Sequence, residues 1–429
     1  MPILNHRDYR SAKTLMAQIS RALGPDGVIE DIASCLPADV AAARQQTLKT
    51  ELQRLQADIA AYEKLRGQEN NGEAEIDVDD LGLLPIIGRI TRRLSQRELA
   101  ERLDIKEQQV QRYESERYAG ISLARYQKTL DALGIELQPR LIPSWNADEP
   151  DGPPNEPQFQ IAPDILREIR KRKWVELPNG VGSDDVAHII GRYVEHASQL
   201  SKGTPFHRKS TAANSESAES ALKAWRARVL RTGAEQRARV KTKFNIADTT
   251  WLKKIVTLSV YPDGPIRAAE LLREKGIILV IEPQLPHTLL DGAALLLLES
   301  VPVIGLTLRH DRLDNFWFTL LHELGHIFLH FNHGLDAGFL DDLDDGSSVK
   351  AESEADSFAQ SHLLPDEVWS SSPARFSKSA ELLKSFAESR NIHPAIVAGR
   401  IRRDRNNYRM FDEMVGRGQV RRLFLHQTA

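Results

Sequence analysis

At 429 residues the chain is too long for one ordinary hydrophobic core, and about two to four domains are expected. Its 57 basic and 60 acidic residues leave a net charge of −3, which excludes whole-molecule attraction to nucleic acid and requires any DNA contact to be local. The single cysteine, Cys35, excludes a disulfide framework and cysteine-rich metal sites and fits the cytoplasm. The N-terminal residues lack an apolar secretion core, and no apolar run approaches a membrane span.

Residues 1–78 read as an N-terminal helical region. Within residues 41–66, Leu48, Leu52, Leu55, Ile59 and Tyr62 recur at spacings of three and four, an apolar stripe suited to an antiparallel hairpin or a homodimer contact. The acidic, glycine-containing segment 68–80 closes this region. Residues 79–142 form a compact all-α domain. Ser95-Gln96-Arg97-Glu98 has capping-box spacing ahead of Leu99 and Leu103, and the tight turn Asp104-Ile105-Lys106 leads into a second helix over residues 107–114. That spacing is a helix-turn-helix. Leu99, Ala100, Leu103, Ile105, Val110 and Tyr113 supply its packing, which leaves Glu107, Gln108, Gln109, Gln111 and Arg112 toward the exposed face of the second helix. Glutamine pairs with adenine and arginine with guanine in the major groove, so Gln108, Gln109, Gln111 and Arg112 are candidate base-reading residues and operator DNA the expected partner. Residues 89–128 hold ten Lys/Arg against six Asp/Glu, an excess suited to phosphate contact. A helical unit that binds protein is the competing reading.

Residues 143–160 contain the proline-rich run 148–157 and read as a linker. A helical middle region follows over residues 161–258, with basic stretches at 165–175 and 220–240 read as solvated helix faces rather than a nucleic-acid groove. Residues 259–412 change character. A helix over 268–274 precedes three short β-like runs, 277–281, 293–298 and 303–308, whose edge strand would pair with an extended substrate backbone. Residues 413–429 form a tail. The expected fold class is α+β, mainly α: an all-α helix-turn-helix domain, then a helical region and a zincin-like domain with a small sheet.

The segment His322-Glu323-Leu324-Gly325-His326 carries the chemistry. On a helix, His322 and His326 stand one turn apart on one face and suit Zn(2+), while Glu323 beside them suits proton transfer to and from a metal-activated water. Asp314 or Asn315 would cap this helix. A catalytic zinc site needs a third protein ligand and an open position. Leu329 and Asn332 stand where a metzincin requires glycine and histidine, which excludes that class. Residues 352–359 supply Glu352 as third ligand, with Glu354 as rival, and Asp356 to accept the N–H of a ligand histidine. His330, one turn past His326, reads as a packed helix residue, because a fourth ligand would close the site. The acidic run 336–345 would gate the cleft, select a basic substrate or simply be solvated.

With these residues in place, the chain resembles a fusion of an Xre-type helix-turn-helix, at residues 94–114, with an ImmA/IrrE-type metallopeptidase, at residues 314–326 and 352–359. Residues 392–401 resemble that family's terminal helical segment, residues 224–228 a segment preceding the peptidase, and the N-terminal helices those of some HigA-like antitoxins. The resemblance implies zinc-dependent cleavage of a repressor or antitoxin, in trans or in the chain itself, within transcription regulation or a toxin–antitoxin or stress response. It also offers His393 as a transition-state donor. The alternative is a repressor or antitoxin whose peptidase-like domain is non-catalytic, zinc-braced or ligand-sensing.

Overall fold

The computed structural model describes residues 3–24, 36–67, 81–118, 120–136, 161–175, 183–201, 206–207, 216–297, 300–331 and 347–425. The linker at 143–160, the acidic segments 68–80 and 336–345, and Asn332 lie outside them. The chain divides into two units, one of Met1–Arg21 with Glu51–Pro154, the other of Ala22–Thr50 with Asn155–Ala429. The architecture is α+β and mainly α. No helix among the described residues is long and apolar enough to cross a membrane.

The first unit contains α1 (His6–Leu23), the later part of α2 (Ala38–Gly67), α3 (Leu84–Thr91), α4 (Gln96–Leu103), α5 (Glu107–Ser115) and α6 (Leu123–Ala132). At the C-terminal end of its stripe α2 meets α1: Tyr9 stacks on Tyr62 at 5.1 Å between ring centroids, and Lys13 pairs with Glu63 at 3.2 Å. The capping box of α4 forms in full, with Ser95 Oγ accepting from the Glu98 N–H at 3.1 Å and the Glu98 carboxylate accepting from the Ser95 N–H at 2.7 Å. Asp104 ends α4 in the left-handed region at φ 53°, which an aspartate tolerates better than most residues, and the chain reverses into α5. Leu99, Ala100, Leu103, Val110 and Leu133 then close one small core.

A buried ion pair, not legible from the sequence, ties this domain together. Arg89 on α3 donates from Nε and Nη2 to both oxygens of Glu114 on α5, at 2.5 and 2.8 Å, and from Nη1 to the Leu94 carbonyl at 2.9 Å. Gln96 on α4 adds a bond to the same carboxylate at 2.8 Å. Three helices thus converge on one carboxylate.

The second unit is built on a four-stranded sheet of order β1-β3-β4-β2, with β1 at Phe206–His207, β2 at Ile278–Ile281, β3 at Gly292–Leu297 and β4 at Val301–Leu306. β3 and β4 form an antiparallel hairpin, and β2 runs parallel to β4. Every residue of β3 and β4 is buried, because helices cover both faces of the sheet. Alternation along β3 divides them. Ala293, Leu295 and Leu297 join Trp225 and Val229 of α9 (Glu216–Gln236), whereas Gly292 faces the helix that carries the metal motif. The two-residue β1 gives no periodic signal and was not foreseen.

The middle helices differ from expectation. α7 (Pro163–Lys171) buries Ile165 and Ile169, and α9 buries Ala221, Ala224, Trp225, Val229 and Leu230, all in the core that the sheet completes. Trp225 Nε1 donates to the Glu282 carbonyl at 2.8 Å. The basic residues Arg172 and Arg228 pair with the Glu282 carboxylate at 3.2 and 3.5 Å, so these faces are not merely solvated. The small and branched residues of α9 lie on one side and fit a flat sheet, and the cations at their margins find a carboxylate there.

After α8 (Ser183–Ser198), α10 (Leu252–Thr257) and α11 (Gly264–Glu274) comes the long α12 (Leu313–His330). It is followed by α13 (Ser347–Leu363), α14 (Asp366–Ser370), α15 (Ala380–Ser389), α16 (Pro394–Asp404) and α17 (Arg421–Leu425).

Candidate metal centre

α12 lies in the interior, with Phe316, Trp317, Leu320, Leu321, Leu324 and Ile327 all buried. Its start is not capped by Asp314 or Asn315. The N-cap is Arg312, without a side-chain cap; Asp314 instead binds the Arg312 guanidinium at 2.9 and 3.2 Å, and Asn315 donates to Thr319 Oγ1 at 3.4 Å. Both lie inside the helix rather than at its N-cap, so neither is placed to cap it. Asp314 is still favourable there, as a negative charge near the helix N-terminus.

Two close approaches place the site. A Cβ on Gly325 would lie 3.0 Å from the Ala355 Cα, so the glycine and alanine together let α13 pack directly on α12. A Cβ on Gly292, at the start of β3, would lie 2.8 Å from Glu323 Oε1. The bare glycine leaves that carboxylate its room. These contacts bring His322, His326 and Glu352 together, with one ligand atom from each within 4.8 Å of the others.

The distances fit zinc. The Nε2 atoms of His322 and His326 are 3.1 Å apart, and each lies 3.4 Å from an oxygen of Glu352. Ligands at roughly 2.0–2.1 Å from a tetrahedral ion are spaced about 3.3–3.4 Å apart, and the two imidazoles face the Glu352 carboxylate at that spacing, His322 toward Oε2 and His326 toward Oε1, so these three side chains could hold one ion and leave a position for water. Glu354, the rival ligand, points elsewhere. Its carboxylate binds His330 Nε2 at 2.9 Å and Lys350 at 3.6 Å.

Hydrogen bonds set both imidazoles. His322 Nδ1 meets Asp356 Oδ1 at 2.8 Å, as expected for a carboxylate that orients a ligand histidine. His326 reaches a carboxylate through an intermediary: its Nδ1 lies 3.2 Å from His330 Nδ1, and His330 Nε2 binds Glu354. With Nε2 of both ligands kept as lone pairs for the metal, their Nδ1 atoms carry the protons, and His330 accepts at Nδ1 while donating at Nε2. His330 is therefore neither ligand nor simple packing. Its signal in the sequence was the one-turn spacing after His326.

The electrostatics agree with this division. Burial disfavours charge on His322, yet hydrogen bonds to Asp356 and Glu352 outweigh it and raise its pKa to about 9. Burial pushes His326 down to about 3. Burial also opposes ionisation of Glu352, but hydrogen bonds from the two imidazoles hold it well below the usual carboxylate range. The set thus combines a neutral imidazole, an ionised carboxylate and a second imidazole whose proton a cation would displace.

If His330 and Glu354 fix the tautomer of His326, Glu354→Ala should weaken zinc binding about 10- to 100-fold, with Glu354→Gln in between because its carbonyl still accepts. Competition against a chelating indicator measures this. Unchanged affinity in both variants would reduce the pair to packing.

His393 is the N-cap of α16, where its Nδ1 accepts from the Ala395 N–H at 3.0 Å and its own N–H donates to Ser259 Oγ at 3.0 Å. Burial lowers its pKa. Capping was not foreseen for it, although histidine before proline at a helix start is a readable signal.

On the second helix of the helix-turn-helix, Gln108, Gln111 and Arg112 are exposed and Gln109 is half-buried. Gln109 Oε1 accepts from the Lys106 N–H at 3.3 Å, and Gln111 donates to Glu107 at 3.1 Å. Helix capping and a lateral pair thus already engage two of the four candidate base readers.

Residues 275–393 match the family described as the IrrE N-terminal-like domain, a peptidase family, and residues 88–139 match the helix-turn-helix family. The chain joins a helix-turn-helix domain to an IrrE N-terminal-like domain. No curated protein and no solved structure matches it. The IrrE N-terminal-like segment runs from just before β2 to the cap of α16 and so includes His322, Glu323, His326, Glu352 and Asp356. The helix-turn-helix segment spans α4, α5 and α6. Residues 1–78, where the HigA-like resemblance was placed, lie outside both segments.

Proposed function

We propose that this chain is a cytoplasmic, DNA-binding transcriptional regulator with zinc-dependent endopeptidase activity, acting on a regulatory protein such as a repressor or antitoxin, or on itself. The observation that carries this reading is the convergence of His322, His326 and Glu352, with one ligand atom from each within 4.8 Å of the others, beside the buried Glu323.

His322, His326 and Glu352 would hold the ion, and zinc bound there would polarise a carbonyl and lower the pKa of a water to about 7. Glu323 takes the proton of the attacking water and returns it to the leaving amine, the two transfers that peptide hydrolysis requires. Asp356 and the His330–Glu354 pair hold the imidazoles in the tautomer and orientation that ligation needs. The walls of α12 and β3 enclose Glu323, which keeps its proton transfers away from bulk water. The helix-turn-helix domain brings this chemistry to an operator, where a repressor is itself found.

The deciding experiment is cleavage of a co-encoded regulator by purified protein, with zinc removed by a chelator and then restored. Cleavage that disappears and returns with zinc supports the reading; protein that holds no zinc overturns it. For the DNA half, Gln108→Ala with Arg112→Ala should weaken operator binding while leaving salt-sensitive non-specific affinity nearly unchanged, as read by titration of specific and scrambled duplexes. An unaltered sequence preference would remove both residues from the reading face.

A further inference from the structure

Beside the metal centre lies a cavity of about 760 Å³, within the size range of binding pockets. Three of its lining residues sit next to residues of the site. Phe318 precedes His322 by one turn of α12, Gln360 follows Asp356 by one turn of α13, and Asp291 immediately precedes Gly292, which abuts Glu323. The cavity therefore borders the same α12, α13 and β3 segments that carry the candidate metal centre.

Its walls are rich in arginine. Arg309, Arg312, Arg400, Arg402, Arg403 and Arg417 line it, against two carboxylates, Asp291 and Asp314. Most of the guanidinium groups are fixed in place. Arg309 binds Asp291 at 3.1 and 3.2 Å, and Arg312 binds Asp314 at 2.9 and 3.2 Å. Arg400 pairs with Asp366 and Asp404, and Arg402 and Arg417 pair with Asp412; none of these three carboxylates lines the cavity. A guanidinium has five N–H donors and a bidentate carboxylate takes two, so these pairs orient the arginines without exhausting them. Arg403 lies over the ring of Phe318, 4.4 Å from its centroid, which sets a cation one helical turn from His322.

We infer that this cavity is a substrate subsite that binds the acidic side chains of a peptide next to the scissile bond. The inference rests on the peptidase reading and names the substrate class for it. A lone apolar pocket beside zinc would select bulky residues, whereas a wall of oriented guanidinium groups recognises carboxylates by paired, charge-assisted hydrogen bonds. A basic peptide would place like charge against Arg403 and the unused donors of the paired arginines, Arg402 being buried.

The test uses the full chain with Glu323→Gln and a labelled peptide of residues 71–80 of this sequence, which carries Glu73, Glu75, Asp77, Asp79 and Asp80. Its partner is the same peptide with every carboxylate replaced by the amide. Fluorescence anisotropy should give about 10-fold tighter binding of the acidic peptide, the size expected of one charge-assisted hydrogen bond. Arg403→Glu should narrow or reverse that preference, and Arg403→Lys should keep most of it. Equal affinity for the two peptides, or a preference untouched by Arg403→Glu, overturns the inference. Should Arg403→Glu fail to fold, the comparison of the two peptides still decides. The active protein separates the two readings. Equal kcat/KM on both peptides removes the subsite and leaves the peptidase; no cleavage of either peptide or of any regulator, with the binding preference intact, removes the peptidase and leaves an anion site.

Discussion

Glu323→Gln should retain zinc and the folded structure but lose roughly 100- to 10,000-fold in kcat, the usual contribution of a positioned general acid–base. The substitution is nearly isosteric, and volume matters here. Glu323 is fully buried, with β3 so close that even a methyl group on Gly292 would collide with its carboxylate. A glutamine fills the same space between α12 and β3, but its amide cannot accept the proton of the attacking water. The ligand set His322, His326 and Glu352 is untouched, so metal analysis should return the wild-type zinc content. Single-turnover cleavage reads the chemical step without product release. A variant that cuts at the wild-type rate would remove Glu323 from its role. If wild type and variant both hold zinc and neither cuts any candidate regulator, zinc braces the fold rather than catalysing.

The second large effect concerns the DNA-binding half. Glu114→Ala should destabilise the helix-turn-helix domain by about 3–5 kcal/mol, because it leaves the Arg89 guanidinium buried without its counter-charge. Both side chains are about 95% buried, and the lost carboxylate also serves Gln96, so α3, α4 and α5 lose their common anchor. A small domain of ordinary stability has little more than that to lose. Operator binding should fall with it, while zinc content is retained. Replacing both partners, Arg89→Met with Glu114→Leu, should recover most of the stability, since an apolar pair needs no compensation for desolvation. Chemical denaturation of the two single variants and the double variant measures this coupling directly. A Glu114→Ala protein as stable as wild type would show that the pair contributes little.

Local geometry explains which features were readable. The capping box at Ser95 and Glu98 is a matter of three-residue spacing, and it forms as expected. The β-like runs before the metal motif became β2, β3 and β4 because continuous apolar sequence of that length is stable as strands covered on both faces. The basic stretches at 165–175 and 220–240 misled because composition reports charge, whereas burial follows the face on which the small and branched residues fall. Trp225, Val229 and Leu230 carry α9 into the core, and the arginines remain at its margin.

The sequence by itself determined the face shared by the candidate metal ligands of α12. His322 and His326 must share a face wherever that helix forms, since four residues make about one turn, and Glu323 must stand beside them. The helix-turn-helix was determined in the same way, by spacings internal to residues 94–114. Only the tertiary structure shows that Glu352 rather than Glu354 faces the two imidazoles. Residues two apart on a helix point about 200° away from each other, so which carboxylate approaches the imidazoles depends on which face of α13 meets α12. The contact of Gly325 with Ala355 sets that face, turning Glu352 to the imidazoles and Glu354 to His330. Gly292 against Glu323, Arg89 against Glu114 and the arginine cavity beside Phe318 likewise join residues distant in sequence, and no local periodicity encodes such contacts.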